Sequence, residues 1–200
     1  MPKKKRPKTP KRQPQRRKKK SSRTAFNAVL GVVIAAAVIY GGVTLLQQHD
    51  ASLAGDRVEQ LAAQHTNSGC VPAYNSTPPT SGCHAPDWEH GWGIHDREID
   101  DVFQVHNLEH GGIMVQYRPN PVPGVSTDYI EDLHAFIQEL RRDARYCKVI
   151  LAPYARLQET IALTAWGWIL TLDSFDAETI KRFIDDHIGR EGPEAPAPCN

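Results

Sequence analysis

The formal net charge of +1 over the chain's 200 residues averages two segments of opposite character, and the globular part, about 130 residues, has room for one hydrophobic core and not two. Residues 1–23 hold 13 of the 24 Lys and Arg and no acid, which leaves 11 basic against 23 acidic side chains over the other 177 residues. The asymmetry marks a basic arm fastened to an acidic remainder, and the usual partners of such an arm are nucleic acid or an anionic membrane surface.

The next segment decides between those partners. Ala25 to Leu46 is 22 residues without a charge, its polar members being Asn27, Tyr40 and Thr44. As a helix it is about 33 Å long, enough to cross a hydrocarbon core of about 30 Å. A cleaved signal peptide has a shorter apolar core, roughly 7–15 residues, followed by a small-x-small site. Leu45-Leu46-Gln47-Gln48 offers no such site, so an uncleaved anchor is expected. The Lys and Arg flank stays cytoplasmic, which places residues 47–200 outside the cell membrane in a single-pass topology. The arm, with its prolines and no apolar stripe, is expected to be disordered and to rest on anionic lipid headgroups; no nucleic acid is expected.

Beyond the span, Gln47 to Thr66 carries Leu53, Val58, Leu61 and Ala62 in a weak helical pattern suited to a spacer. Gly69 to Trp92 is dense in Pro, Gly, Asn, Ser and Thr and reads as turns and extended backbone. Ile113, Val115 and Tyr117 alternate with Met114 and Gln116, a strand stopped by Pro119 and Pro121. Thr127 caps a helix whose Ile130, Leu133, Phe136, Ile137 and Leu140 share a face. Lys148 to Ala152 reads as a buried strand, and Ile161 to Leu172 as one long strand or two, bent at Gly167. Asp176 caps a last helix with Ile180, Phe183, Ile184 and Ile188 inward, closed by Gly189.

These elements predict an α+β fold, a small mixed sheet with two packed helices, preceded by one transmembrane helix. The expected division is a basic disordered cytoplasmic tail over 1–24, the span over 25–46, a juxtamembrane spacer over 47–69, the extracytoplasmic domain over 70–194 and a tail over 195–200.

All nine histidines lie beyond the span, five of them from His84 to His110. In HNLEHGG, His106 and His110 stand four apart, so on a helical turn both imidazoles leave the same face, with Glu109 beside them as ligand or base. HNLEH also fits the inverted zinc-peptidase pattern, but that motif needs helix on both sides, and Gly111-Gly112 and a strand follow at once. The plainer alternative is that these histidines hydrogen-bond loop backbone and cap a short helix. His84, at the end of the rigid turn TPPTSGCH, is the natural third ligand. Met114 is a weaker candidate: a thioether among imidazoles favours copper, whereas imidazoles with Glu109 suit zinc. Asp96, Glu98, Asp100 and Asp101 lack the order of a calcium loop and read as a solvated acidic face. Trp166 and Trp168 are expected on one face of their strand. Cys70, Cys83, Cys147 and Cys199 all fall outside the membrane, where an even count means up to two disulfides with three connectivities open. No CxxC, GxSxG, Walker loop or dinucleotide fingerprint is present, which removes zinc ribbons, thioredoxin-type redox sites and nucleotide enzymes of those kinds.

The strings YNSTPPTSGCH, VHNLEHGGIMVQY, ILAPY with TAWGW, and FIDDHIGREGPE resemble the bacterial membrane-anchored family called domain of unknown function 3105, from about Tyr74 to Glu194. The resemblance implies a small extracytoplasmic domain behind one membrane helix and marks His84, His106, Glu109, His110, Trp166, His187 and Glu194. Where the family pattern has proline between Gly82 and His84 this chain has Cys83, which suggests a local disulfide to Cys70 and argues against Cys83 as a metal ligand. Reach leads to the same pairing: Cys70 and Cys83 bracket a short loop, while Cys147 begins a strand and Cys199 ends a tail in need of a tether. The expected bridges are Cys70–Cys83 and Cys147–Cys199.

The leading expectation is therefore a metal-binding extracytoplasmic domain, with His84, His106 and His110 around zinc or copper and Glu109 and Met114 in support. Two alternatives come from other classes: an interaction module that recruits an envelope protein through the Pro-rich loop and tryptophans, and a metal-dependent hydrolase.

Overall fold

The computed structural model describes residues 22–50, 52–87, 91–120 and 126–199. Most of the basic arm (1–21), His90 and Pro121 lie outside the described residues. The chain divides after Ala51 into two compact units.

The first unit contains the helix α1 (Ser22–Asp50), which has no acid in its first turn. Within it Phe26–Thr44 is long and apolar enough to cross a membrane, with a mean hydropathy of 2.1. The aliphatic side chains Val32, Val38 and Ile39 are each more than 60% exposed.

The second unit is α+β, as expected. Its strands are β1 (Asp56–Arg57), β2 (Gln64–His65), β3 (Cys83–His84), β4 (Gly93–Ile94), β5 (Ile113–Tyr117), β6 (Val149–Pro153), β7 (Ile161–Ala165) and β8 (Trp168–Leu172). Among the described residues three α-helices accompany them: α2 (Asp101–Glu109), α3 (Asp128–Leu140) and α4 (Ala177–His187). Six strands form one mixed sheet in the order β1-β8-β7-β5-β6-β4, and β2 and β3 pair apart from it. β5 is parallel to β6 and antiparallel to β7, so the sheet changes sense at its centre.

Period-two alternation distributes the core to both faces of this sheet. Ile113, Val115, Val149, Leu151, Leu163 and Trp168 pack with Leu133 and Ile137 of α3 and Phe183 and Ile184 of α4. Met114, Ile150 and Ala152, one residue out of phase, face the other way and pack with Val105 and Leu108 of α2 and with Trp166. A strand buried on both faces must be apolar throughout, which is why IMVQY and VILAP show so little polarity. The exception, Gln116, is buried and donates from Nε2 to Gln104 Oε1 at 2.7 Å.

Several local expectations change. The stretch after α1 is not a helical spacer. Leu53 and Ala54 pack against the core, Asp56 and Arg57 pair with β8, and His65 pairs with His84. Two-residue strands bury too little of themselves to leave a periodic trace. Ile161 to Leu172 is a hairpin, and Gly167 at its turn has φ +75°, a value that disfavours any side chain. That turn sends Trp166 and Trp168 to opposite core clusters rather than to one face. α3 is capped by Ser126, whose hydroxyl accepts from Asp128 N at 3.1 Å; the Thr127 side chain makes no capping bond. Asp176 caps α4 as expected, accepting from Glu178 N and Thr179 N. The acidic cluster is not simply solvated: Asp101 binds Arg156 at 2.6 Å and accepts from Tyr154 Oη, and Glu98 accepts from Ala155 N. The C-terminal segment is fastened, with Ala195 buried and Cys199 bonded to Cys147.

Candidate metal site

The candidate site forms where α2 meets β2 and β3, on the Met114 face of the sheet. The turn before His84 is fixed from several sides. Gly82 takes φ +124°, Thr80 O accepts from Gly167 N, Ser81 Oγ accepts from Leu61 N, and Tyr74 Oη donates to Cys83 O at 2.7 Å. Ala85 N then donates to Val102 O, tying the turn to α2. The Cys70–Cys83 bridge, with its Cα atoms 6.0 Å apart, holds this turn to the segment that carries β2. Because β2 and β3 run parallel with His65 opposite His84, the two rings come together with centroids 4.7 Å apart.

From the other side, His106 and Glu109 stand three apart on α2 and so share a helix face. His84 is fully buried, and His106 and Glu109 are 4% and 6% exposed. One ligand atom from each of His65, His84, His106 and Glu109 lies within 4.8 Å of the others. His84 Nε2 is 2.8 Å and His65 Nε2 3.7 Å from Glu109 Oε2. An ion bound tetrahedrally at about 2.0–2.1 Å sets its ligand atoms about 3.3 Å apart, between those two distances.

Proton placement follows from the partners. A carbonyl oxygen only accepts, so His84 donates Nδ1–H to Gly82 O and His106 donates Nδ1–H to Ala85 O, each at 2.8 Å. In the neutral imidazole Nε2 then carries the lone pair. For His84 this aims a lone pair at a carboxylate oxygen, an arrangement that needs a proton or a metal cation between the two groups. Burial lowers the pKa of His106, and the neighbouring His110 lowers it further.

The remaining expected residues distribute as follows. His110, the C-cap of α2, is not in the four-residue group. It belongs to a second one, with Glu109 and Glu194, although its ring centroid is 4.7 Å from that of His106. Burial lowers the pKa of His110 against the opposing pull of Glu194 and Glu109. Met114 is fully buried in the apolar cluster with Val105, Leu108, Ile150 and Trp166, a packing environment. All four cysteines are in the two disulfides, so none offers a thiolate. Trp166 sets its ring at 90° to that of His84, centroids 6.2 Å apart. His187 is structural: fully buried, it donates Nε2–H to Ala54 O at 2.8 Å and packs on Trp168 and Phe183. His65 is the residue that sequence patterning missed. The available signal was its place five residues before Cys70, whose partner Cys83 immediately precedes His84.

No curated protein and no solved structure matches the chain. A family model described as a protein of unknown function, DUF3105, matches residues 65–200, a span that opens on His65 and contains both histidine–glutamate groups, and the chain belongs to that family.

Proposed function

We propose that this is a membrane-anchored protein whose extracytoplasmic domain binds a transition-metal ion through His65, His84, His106 and Glu109. The observation that carries the reading is the orientation of two buried imidazoles. His84 and His106 each give Nδ1–H to a backbone carbonyl, and His84 thereby sets Nε2 2.8 Å from the buried Glu109 carboxylate, in a group to which His106 also offers a ligand atom. Metal-ligating histidines are oriented in this way, by a hydrogen bond from the other ring nitrogen. Three imidazoles and a carboxylate suit zinc, and Met114 packs among apolar side chains, which weakens the copper alternative. Four protein donors complete a tetrahedron, which favours a closed binding site over hydrolysis at this ion.

The anchor is supported by the apolar Phe26–Thr44 stretch and its basic N-terminal flank, which orients positive charge toward the cytoplasm. Two disulfides fit an oxidising compartment outside. The arm would then lie on anionic lipid, each Lys or Arg near the surface contributing about 1 kcal/mol.

The test uses the full chain in detergent, stripped with a chelator and titrated with Zn²⁺ against a chromophoric competitor. Tight binding is expected in the parent chain and in His134→Ala, and its loss in His84→Ala and His106→Ala. Equal affinity in all four proteins would refute the assignment.

A further inference from the structure

The Glu109 carboxylate belongs to two groups at once. Besides the three histidines, a ligand atom of Glu109 lies within 4.8 Å of one from His110 and one from Glu194. The second group depends on the C-terminal segment, which lies across the end of α2 and is held there at several points. Gly189 N donates to Gly111 O and Glu194 N to Glu109 O, both at 2.9 Å. Lys148, buried between the two segments, donates from Nζ to His110 O at 2.7 Å and to Ala195 O at 2.8 Å. Gly192, at φ +102°, lies so close to Leu108 O and Glu109 O that a Cβ there would collide with both. The Cys147–Cys199 bond closes the far end. Glu194 is thereby placed with Oε2 3.6 Å from His110 Nδ1, although its side chain is 55% exposed.

From this geometry we propose a second divalent-cation position, held by His110, Glu194 and Glu109, with the Glu109 carboxylate bridging it to the first ion. The proposal rests on the metal reading of the first group. A carboxylate has two oxygens and can give one to each ion, and ions in such paired sites stand about 3.5–4 Å apart. His106 and His110, one for each ion, have ring centroids 4.7 Å apart, as ligands of adjacent ions would. The two positions differ in chemistry. The first has three imidazoles and a carboxylate; the second has one imidazole and two carboxylates, a harder donor set that accepts Zn²⁺, Mn²⁺ or Fe²⁺ and disfavours Cu⁺. Three protein donors also leave room for water or a small oxyanion, so the exchangeable chemistry of the pair belongs at the second ion.

Metal stoichiometry on the full chain in detergent, by calorimetric titration with Zn²⁺ and elemental analysis after desalting, tests this. The parent chain should take up two ions per chain, the second more weakly. Glu194→Gln changes only a half-exposed side chain, and should weaken the second event at least about tenfold while leaving the first unchanged. His110→Asn should do the same. Co²⁺ loaded into the parent chain should show magnetic exchange coupling through the shared carboxylate, and Glu194→Gln should remove it. One ion per chain, abolished by His84→Ala, would overturn the second position and leave the first reading intact. Two ions with no effect of Glu194→Gln or His110→Asn would overturn the assignment of the second position. No binding at all would overturn both readings.

Discussion

Removing the Cys70–Cys83 bridge by Cys70→Ala with Cys83→Ala separates the stability of the domain from the assembly of its site. The two cysteines are 13 positions apart, and in the chain-entropy model a loop of that size is worth about 3 kcal/mol at 25 °C. For a domain of this size each 1 kcal/mol moves the melting midpoint by about 2–4 °C, so a fall of about 6–12 °C is expected. The second effect is local. β2 has two residues and, among the described residues, pairs with β3, so without the bridge the Leu61 N–Ser81 Oγ bond and that short pairing are left to hold His65 opposite His84. If the ion must then order the His65 segment itself, up to the same 3 kcal/mol comes out of the binding free energy, a loss of up to about a hundredfold in affinity. Zn²⁺ affinity, measured well below the melting midpoint, is the deciding assay. Adding His65→Ala to the bridge-free chain should then cost less than it does in the parent, because both changes remove the same contact. A midpoint lowered as expected with Zn²⁺ affinity unaltered would refute the role given to His65.

Other changes address the site's neighbours. Met114→Leu conserves volume in an apolar cluster, so it should cost less than about 1.5 kcal/mol in denaturant unfolding and leave Zn²⁺ affinity unchanged; a large affinity loss would identify the thioether as a ligand. Gly192→Ala combines a left-handed φ with a collision against Leu108 O and Glu109 O, and should destabilise by about 1–3 kcal/mol or more, seen as a lower urea midpoint. For the metal-free chain, His106 and His110 have folded-state pKa values below the ordinary histidine value of 6.5. The unfolded state therefore binds more protons just below that value, so their contribution to stability is intact above pH 6.5 and is lost as the pH falls from there through the lowered values. Thermal melts in chelator at pH 7.5 and 5.5 should show the loss, and it should shrink in a His106→Gln, His110→Gln double variant.

What could be read in the sequence divides by the range of the interaction that fixes it. β5, β6, the β7–β8 hairpin, α3 and α4 carry their own periodicity, and each formed close to where patterning put it. The sequence pairs His106 with His110, four apart on one turn, and places Glu109 beside them; the structure groups His106 and Glu109 with His65 and His84, and His110 with Glu109 and Glu194. His65 and His84 are neighbours only through the register of two short parallel strands, which no local pattern encodes. The Trp166–Trp168 expectation fails for a related reason: alternation does not carry through Gly167, where the chain turns. The disulfides were legible because reach limits cysteine pairs more tightly than it limits histidines.

On the proposed metal reading, the placement of the two disulfides follows from where rigidity is missing. α2 holds His106, Glu109 and His110 with its own hydrogen bonds and with Val105 and Leu108 in the core, so those donors need no further support. The other two segments of the proposed site lack it: the loop through His65 and His84 has two-residue strands and a single turn of 3-10 helix (Thr66–Ser68), and the segment through Glu194 has neither helix nor strand. A metal site tolerates errors of a few tenths of an ångström in its ligands, and short irregular segments do not hold that precision by themselves. Each of these segments has one covalent bridge, Cys70–Cys83 at the first and Cys147–Cys199 at the second. Reduction should therefore loosen donors on both sides of Glu109 while leaving the six-stranded sheet intact. With a mild phosphine reductant, Zn²⁺ release should precede the loss of near-ultraviolet tryptophan dichroism from Trp166 and Trp168. Simultaneous loss of the two signals would mean that the bridges stabilise the fold as a whole and have no particular relation to the site.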